Sequence, residues 1–428
     1  MMTVLISLAV LLICLAGVPL FTVMGISSLL NYWHGGITFQ SAVIEFYQLG
    51  SLPMLQTLPL FTFAGCLLAR SQAPARLLRL TNAAIGWMPG GLAIITVASC
   101  ALLTAFTGAS GITIFALGGL LLPAMLANRY DERFGLGLIT ASGCLGLLFP
   151  PSLPAILYGV VSGVSIDLLF RAGLLPGLLT LAALGGYGAW YAHRHAVPRQ
   201  SFSWRELRDA LWVARYELPL PVLVIGGIYS GIFAISEAAV VAAAYALLAE
   251  MLLNRDVSRR QFTSVARESM VLSGGILIIL GMAMAVTNYL VTEDVPGQVF
   301  ALAEKYMSGR IAFLLTLNLF LLFVGSVLEI YAATMVVMPL LLPIAAQFGV
   351  HPIHLGVIFL TNLAIGYIIP PVGMNLFISA MRFKKPVLEL ARAAIPFAVV
   401  LLIVLAVITF VPWLSLVFVP EAAMVPPP

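Results

Sequence analysis

Ser142-Gly143-Cys144-Leu145-Gly146-Leu147-Leu148-Phe149-Pro150-Pro151 and Asn362-Leu363-Ala364-Ile365-Gly366-Tyr367-Ile368-Ile369-Pro370-Pro371 are two versions of one stretch. Both lie inside long apolar segments. A Pro-Pro pair cannot sit there in an unbroken helix, because proline removes a backbone donor and its ring clashes with the preceding turn. In hydrocarbon the carbonyls so released need partners elsewhere in the protein. The offset between the copies is constant: Pro150 to Pro370 is 220 positions (370 − 150), as are Pro151 to Pro371, Gly146 to Gly366 and Pro123 to Pro343. Ser142 and Asn362 share it as a polar pair. One offset across a proline-ended apolar segment, a polar loop and a Gly-x-x-x-Pro-Pro break argues for internal duplication. Interrupted helices at matching places in two halves point to a transporter's binding site.

The composition agrees. Of 428 residues, 61% are hydrophobic and 9% charged, against about 25% charged in soluble domains. The expected class is an all-helical polytopic membrane protein. A net charge of +4 on so few charges is not a nucleic-acid signal; it reflects Lys and Arg retained on one side of a lipid bilayer. Cys14, Cys66, Cys100 and Cys144 lie in apolar runs without metal-type spacing and read as buried small hydrophobes. The first apolar stretch lacks a basic leader and reads as a retained span. There is no Gly-x-x-x-x-Gly-Lys-Ser/Thr loop, so ATP does not drive this chain directly, and no His-Glu-x-x-His. Gly108-Ala109-Ser110-Gly111 matches the Gly-x-Ser-Gly of intramembrane serine proteases, but that chemistry needs a histidine base. His34, His193, His195, His351 and His354 all fall in predicted loops, and the chain reads as no enzyme.

Taken in order, residues 3–33 are too long for one span and read as two tight passes turning at Gly17-Val18-Pro19. A soft loop with a His34-Gly35-Gly36 turn leads to a span at about 52–68. Arg70, Arg76 and Arg79 are the first basic residues and mark the cytoplasmic side. Residues 92–126 form an apolar stretch interrupted by Thr107-Gly108-Ala109-Ser110-Gly111, with arginines on both flanks. The small polar tip favours a re-entrant hairpin over two full spans. A broken span (about 135–162), Asp167 and Arg171 outside, and a span at 173–192 follow. Residues 193–215 form an arginine-rich linker placed in the cytoplasm, with Trp204 and Trp212 at the interface.

The second half opens with a tight pair at 218–253 turning near Ser230-Gly231, a basic loop (Arg255, Arg259, Arg260, Arg267) and a span at 270–291. A second hairpin at 311–346 is interrupted by Gly325-Ser326-Val327-Leu328-Glu329. A second broken span (355–380) ends at Arg382, Lys384 and Lys385, and a last span covers 395–417. Lys305 and Arg310 are assigned to an interfacial helix. The charge bias places the first hairpin on the basic side and the second on the non-basic side. Residues 1–192 and 216–428 are therefore expected to be an inverted repeat joined by the 193–215 linker.

Unwound backbone at the breaks presents carbonyl oxygens to a hard cation such as sodium, and half-helix N-termini favour anionic groups. Thr107 and Ser110 add hydroxyls. Glu237, Glu329, Asn288, Asn318, Asn362 and Asn375 are polar within apolar stretches. Ionisable groups there are functional hypotheses by default, whereas Asn288 and Asn318 serve equally well as cross-helix hydrogen bonders and Glu237 as a span-end residue.

These residues resemble a family. Ala105-Phe106-Thr107-Gly108-Ala109-Ser110 is similar to its first hairpin tip, and Leu145-Gly146-Leu147-Leu148-Phe149-Pro150-Pro151-Ser152 to its first break. His351-Pro352-Ile353-His354-Leu355-Gly356 and Gly366-Tyr367-Ile368-Ile369-Pro370-Pro371-Val372-Gly373 resemble its second-half signatures. The family is the large membrane subunit (M, DctM-like) of tripartite ATP-independent periplasmic (TRAP) transporters. The resemblance implies an elevator-type transporter in the bacterial inner membrane. It implies sodium as the coupling ion, no organic cofactor, and an organic anion (a carboxylate or sugar acid) delivered by a periplasmic substrate-binding protein. It also implies a separate small four-helix Q membrane subunit. Carried over by position, one sodium ion lies among Thr107, Ser110, Gly146, Phe149 and Pro151, and another among Gly325, Gly366, Ile369 and Val372. Ser142, Glu329, Asn362 and Asn375 are the candidates for substrate contact. Two departures stand out: Ile369 replaces the family's usual Thr before the second Pro-Pro, and Glu329 stands where Asp is common. The rival readings are a stand-alone sodium/carboxylate symporter of related two-hairpin architecture, an intramembrane enzyme and a passive channel.

Overall fold

The computed structural model describes residues 20–34, 53–198, 201–293 and 309–420, with scattered residues in 38–50 and 295–301. The expected turn at Gly17-Val18-Pro19, Cys14, the Gly35-Gly36 turn and Lys305 lie outside the described residues. Every described element is helical. The first half comprises α1 (Leu20–His34), α2 (Thr57–Arg70), α3 (Ala73–Ile85), α4 (Gly91–Thr107), α5 (Ser110–Ala127), α6 (Glu132–Ser142), α7 (Leu153–Ser162) and α8 (Ile166–Arg194). α9 (Trp204–Val213) lies between the halves. The second half comprises α10 (Pro219–Tyr229), α11 (Ile235–Leu247, prolonged by a π turn), α12 (Arg259–Thr292), α13 (Arg310–Val327), α14 (Ile330–Gln347), α15 (Pro352–Gly366), α16 (Met374–Phe383), α17 (Val387–Phe410) and α18 (Trp413–Leu416). Seven of the described helices are long and apolar enough to cross a membrane, so the chain is a multi-pass membrane protein.

Several boundaries differ from expectation: α8 starts at Ile166 and takes in Asp167 and Arg171, α17 runs from Val387 to Phe410 rather than over 395–417, and three more differ. α12 starts inside the expected basic loop, taking in Arg259, Arg260 and Arg267. Ser258 and Gln261 bond reciprocally at its start (Ser258 N to Oε1 2.8 Å, Gln261 N to Oγ 3.3 Å), a capping arrangement that nucleates the helix in polar sequence. The 193–215 linker contains α9, where Ser203 Oγ accepts from Glu206 N at 3.4 Å. Arg310 opens α13 itself and belongs to no separate interfacial helix.

The repeat extends into backbone geometry. α5 and α14 begin 220 positions apart (330 − 110), as do α6 and α15 (352 − 132). Gly108 N bonds Thr104 O at 2.8 Å, and Leu328 N bonds Val324 O at 2.7 Å. Tyr130 N to Met125 O (3.0 Å) has its counterpart in Val350 N to Ala345 O (2.9 Å). Arg129 and Gly349 both take positive φ, 61° and 71°. Asp131 and His351 both cap the following helix through their side chains. Both Pro-Pro bonds, Pro150-Pro151 and Pro370-Pro371, are cis. The Cys144 thiol donates to Ala364 O at 3.0 Å, so two positions 220 apart touch directly.

The halves also interlock. α5 packs on α16, and α14 packs on α7. Each hairpin's second arm thus lies against the far half of the other copy's interrupted helix. α6 rests on α17 and α13 on α15, while α2 packs against α11 and α12. This arrangement brings both tips and both breaks into the same interior.

Candidate functional site

The first tip forms where α4 ends at Gly108, whose φ of +64° is a left-handed conformation that glycine adopts at least cost. α5 restarts at Ser110 after one extended residue, Ala109. Thr107 and Ser110 are buried, 2% and 4% exposed. The second tip ends α13 at Val327 and restarts α14 after Glu329. The Glu329 carboxylate caps α14, accepting from Tyr331 N at 3.0 Å and Ala332 N at 3.4 Å. This saturates helix-start amides that would otherwise be orphaned in an apolar interior. The Tyr367 hydroxyl accepts from Ile330 N at 2.6 Å and lies 3.4 Å from Glu329 Oε1. Tyr331 joins the tips: its hydroxyl donates to Gly108 O at 2.7 Å.

Each break presses on the hairpin of its own half. A Cβ on Gly146 would meet the Ala101 carbonyl and the Ala105 amide of α4; one on Gly366 would meet the backbone of Gly325 and Ser326. Only glycine allows such close approach, and the two contacts correspond, since Ala105 and Gly325 are themselves 220 apart (325 − 105). Beyond the first break, Leu145–Leu148 forms a 3-10 turn, and the Phe149 ring lies against Gly177 of α8. Pro151 then leads to Ser152, which caps α7. Beyond the second, Gly373 N bonds Ser326 O at 2.8 Å and Asn375 N bonds Tyr367 O at 3.0 Å, tying the break to its tip. Ile369 is half-buried and Val372 is exposed.

A cavity of about 860 Å³ opens between the tips, within the size range of small-molecule sites. Gly108, Ala109 and Ser110 of the first tip line it, with Glu329, Ile330 and Tyr331 of the second. Tyr367 and Met374 come from the second break, Arg70 and Cys66 from α2, and Glu268, Ile276 and Ile279 from α12.

The polar residues singled out in the sequence divide by place. Ser110 and Glu329 line the cavity. Asn362 instead lies fully buried in a cross-helix cluster: its Nδ2 donates to Asn318 Oδ1 at 2.7 Å and Ile358 O at 2.8 Å, and Asn318 Nδ2 donates to Thr409 Oγ1 at 3.1 Å. Asn375 Nδ2 donates to Thr140 O at 3.1 Å, bridging the two interrupted helices. Ser142 Oγ and Asn375 Oδ1 are buried without a protein partner. Glu237 caps α11 by accepting from Ala234 N at 2.9 Å. Arg70, Glu268 and Tyr331 reach the cavity although no motif marked them, and Tyr367 reaches it from within the second break. Their places depend on how α2 and α12 fold over the tips, and short-range pattern does not carry that.

The comparisons with known proteins agree with this architecture. The family model for the DctM component of tripartite ATP-independent periplasmic transporters matches residues 5–414. The C4-dicarboxylate TRAP transporter large permease protein DctM of Pseudomonas aeruginosa is 34% identical over 382 residues, covering 88% of each chain. The isethionate TRAP transporter permease protein DctMQ of Oleidesulfovibrio alaskensis is 34% identical over 414 residues; the match covers 94% of this chain and 64% of that longer protein. Among solved structures, the YdaH transporter of Alcanivorax borkumensis shares the fold, with a TM-score of 0.63, 16% identity, and coverage of 96% of this chain and 98% of that one. A family match spanning nearly the whole length, over a fold of two tips and two proline breaks, places this chain in the DctM family of TRAP transporter large permease subunits.

Proposed function

We propose that this subunit carries a small organic anion across the bacterial inner membrane, driven by sodium, in the cavity between the two hairpin tips. The observation that supports this most directly is the convergence of both tips and the second break on one accessible volume, with Tyr331 of the second tip bonded to Gly108 of the first. Two relatives whose names specify an organic anion, a C4-dicarboxylate and isethionate, fit that substrate class. A periplasmic binding protein would deliver the anion, and a small Q subunit would complete the membrane part.

Sodium is a co-substrate in this reading. One ion would take oxygens from Thr107, Ser110, Gly146, Phe149 and Pro151; the other would lie among Gly325, Gly366, Ile369 and Val372. Buried oxygens without protein partners at Ser142 and Asn375 support a polar interior able to hold a cation or ordered water. Arg70 and the arginines after it mark the cytoplasmic side by the positive-inside bias. In this reading Arg70, which lines the cavity, stands at its cytoplasmic side, and the two oppositely oriented halves would carry the site across the bilayer as an elevator.

Thr107→Val tests the first ion position. The swap keeps shape and removes one hydroxyl, which in this structure makes only 3.4 Å contacts to Ala109. The expected result is an apparent sodium affinity lowered about tenfold or more in proteoliposomes holding the full complex, with unchanged thermal stability. Uptake that needs no sodium gradient in the unaltered complex would overturn the coupling itself.

A further inference from the structure

Neither Gly-x-x-x-Pro-Pro break contains an arginine to hold a carboxylate, but the fold brings one in from outside them. Arg70, the last residue of α2, is the only basic side chain among the described residues lining the cavity, and 60% of its side chain is exposed. Its guanidinium meets Glu268 of α12 through a single contact, Nη2 to Oε2 at 2.8 Å. A guanidinium carries five N–H donors in a planar fork that matches a carboxylate or sulfonate, so one monodentate contact leaves most of that capacity available.

The remaining wall limits what else a ligand can be. Val271, Ile276 and Ile279 of α12, Phe115 of α5, and Met374 and Ile378 of α16 give it an apolar surface. Several of its polar groups are already committed: Glu329 to the Tyr331 and Ala332 amides, Tyr331 to Gly108 O, and Tyr367 to Ile330 N. A ligand hydroxyl buried without a partner costs on the order of tenfold in affinity. Two acidic side chains, Glu268 and Glu329, stand against one base, which disfavours a second negative charge on the ligand.

We propose that Arg70 is the anion-holding group of the cavity, and that the cavity takes a monoanionic organic acid with an apolar body in preference to a polyhydroxylated sugar acid. The head group docks on the open side of the guanidinium, sharing it with Glu268, and the hydrocarbon lies against α12 and α16. The place of this contact in a transport cycle rests on the function proposed above; the binding itself does not.

The test uses the purified full-length chain in detergent with sodium present, and reads ligand binding by the shift in melting temperature across a concentration series. The probes are 4-methylpentanoate, its neutral amide, succinate and gluconate. The expected result is binding of 4-methylpentanoate about tenfold or more tighter than of the amide, succinate or gluconate. Arg70→Gln is expected to weaken the acid about tenfold or more, Arg70→Lys to recover part of that loss, and Glu268→Gln to leave binding intact or tighten it. No binding of the acid, equal binding of acid and amide, or tighter binding of gluconate would overturn the proposal. A loss in Glu268→Gln as large as in Arg70→Gln would also overturn it, because the pair would then be a strut between α2 and α12. The probe comparison uses the unaltered chain and so holds even where a variant fails to fold. Acid binding with no sodium-driven uptake in the reconstituted complex would remove the transport reading and leave the Arg70 site standing.

Discussion

Asn362 illustrates how a polar residue in an apolar segment can be occupied by packing. Its amide bridges Asn318 and the Ile358 carbonyl, and Asn318 reaches Thr409 on α17. Asn362→Ala leaves Asn318 with one partner fewer in a buried setting. The expected cost is about 1–2 kcal/mol of stability, read as a lowered melting temperature, with substrate KM unchanged in protein that remains folded. A KM rise without a stability loss would instead place Asn362 in the substrate's path. Gly146 carries the opposite lesson. Its role as a helix breaker is legible from the sequence, but the structure adds that any side chain there meets the backbone of α4. Gly146→Leu would disturb packing before it disturbed an ion, so the isosteric change at Thr107 is the cleaner probe.

At the scale of elements, α3 follows α2 and leads towards α4, and one side chain pins it. Arg76 of α3 pairs with Glu217, which precedes α10, and with Asp256, which precedes α12, at 2.5 Å from the latter; Glu250 lies 3.9 Å away. The Arg76 and Glu217 side chains are only 13% and 1% exposed. Burial alone would lower the pKa of this guanidinium, but the bond and charge of Glu217, then those of Asp256, hold it above its ordinary value. It therefore stays charged at any working pH, and loss of its proton cannot open the joint. Arg76→Ala would leave buried carboxylates uncompensated, with an expected loss of about 3–5 kcal/mol; Arg76→Lys keeps the charge but cannot serve both partners through a planar fork. Melting curves of the two variants check this, and a loss under 1 kcal/mol in Arg76→Ala would show that the joint is solvated and weak. None of this was legible in the sequence, where Arg76 reads only as part of a basic cluster. The hairpin tips were legible because Thr107-Gly108-Ala109-Ser110-Gly111 and Gly325-Ser326-Val327-Leu328-Glu329 interrupt otherwise apolar runs, although in the second the helix continues through Val327 before it breaks. The start of α12 was not, since a helix that continues past the apolar boundary looks like a loop to a hydropathy reading.

Across the whole molecule the 220-residue offset, first visible in six prolines and a glycine pair, extends to caps, positive φ angles and tip hydrogen bonds. Duplication was readable because prolines and glycines are scarce enough in these segments for coincidence to be noticed. The exchange of packing between copies, α5 on α16 and α14 on α7, was not readable, because it depends on long-range contacts with no sequence period. That exchange means neither tip can move far without moving the other copy's interrupted helix. Tyr331 makes the linkage direct, with its hydroxyl 2.7 Å from the Gly108 carbonyl. If each tip belongs to one proposed sodium position, this bond couples their occupancy, since ordering one tip fixes the acceptor that the other needs. Tyr331→Phe keeps the ring and removes the bond, costing about 1 kcal/mol. That is enough to weaken a coupling of typical size, about 1–3 kcal/mol. The expected outcome is a folded complex whose sodium dependence of uptake is less steep, the Hill coefficient falling towards about one. A steepness identical to that of the unaltered protein would mean that the tips communicate through the packed helices rather than through Tyr331.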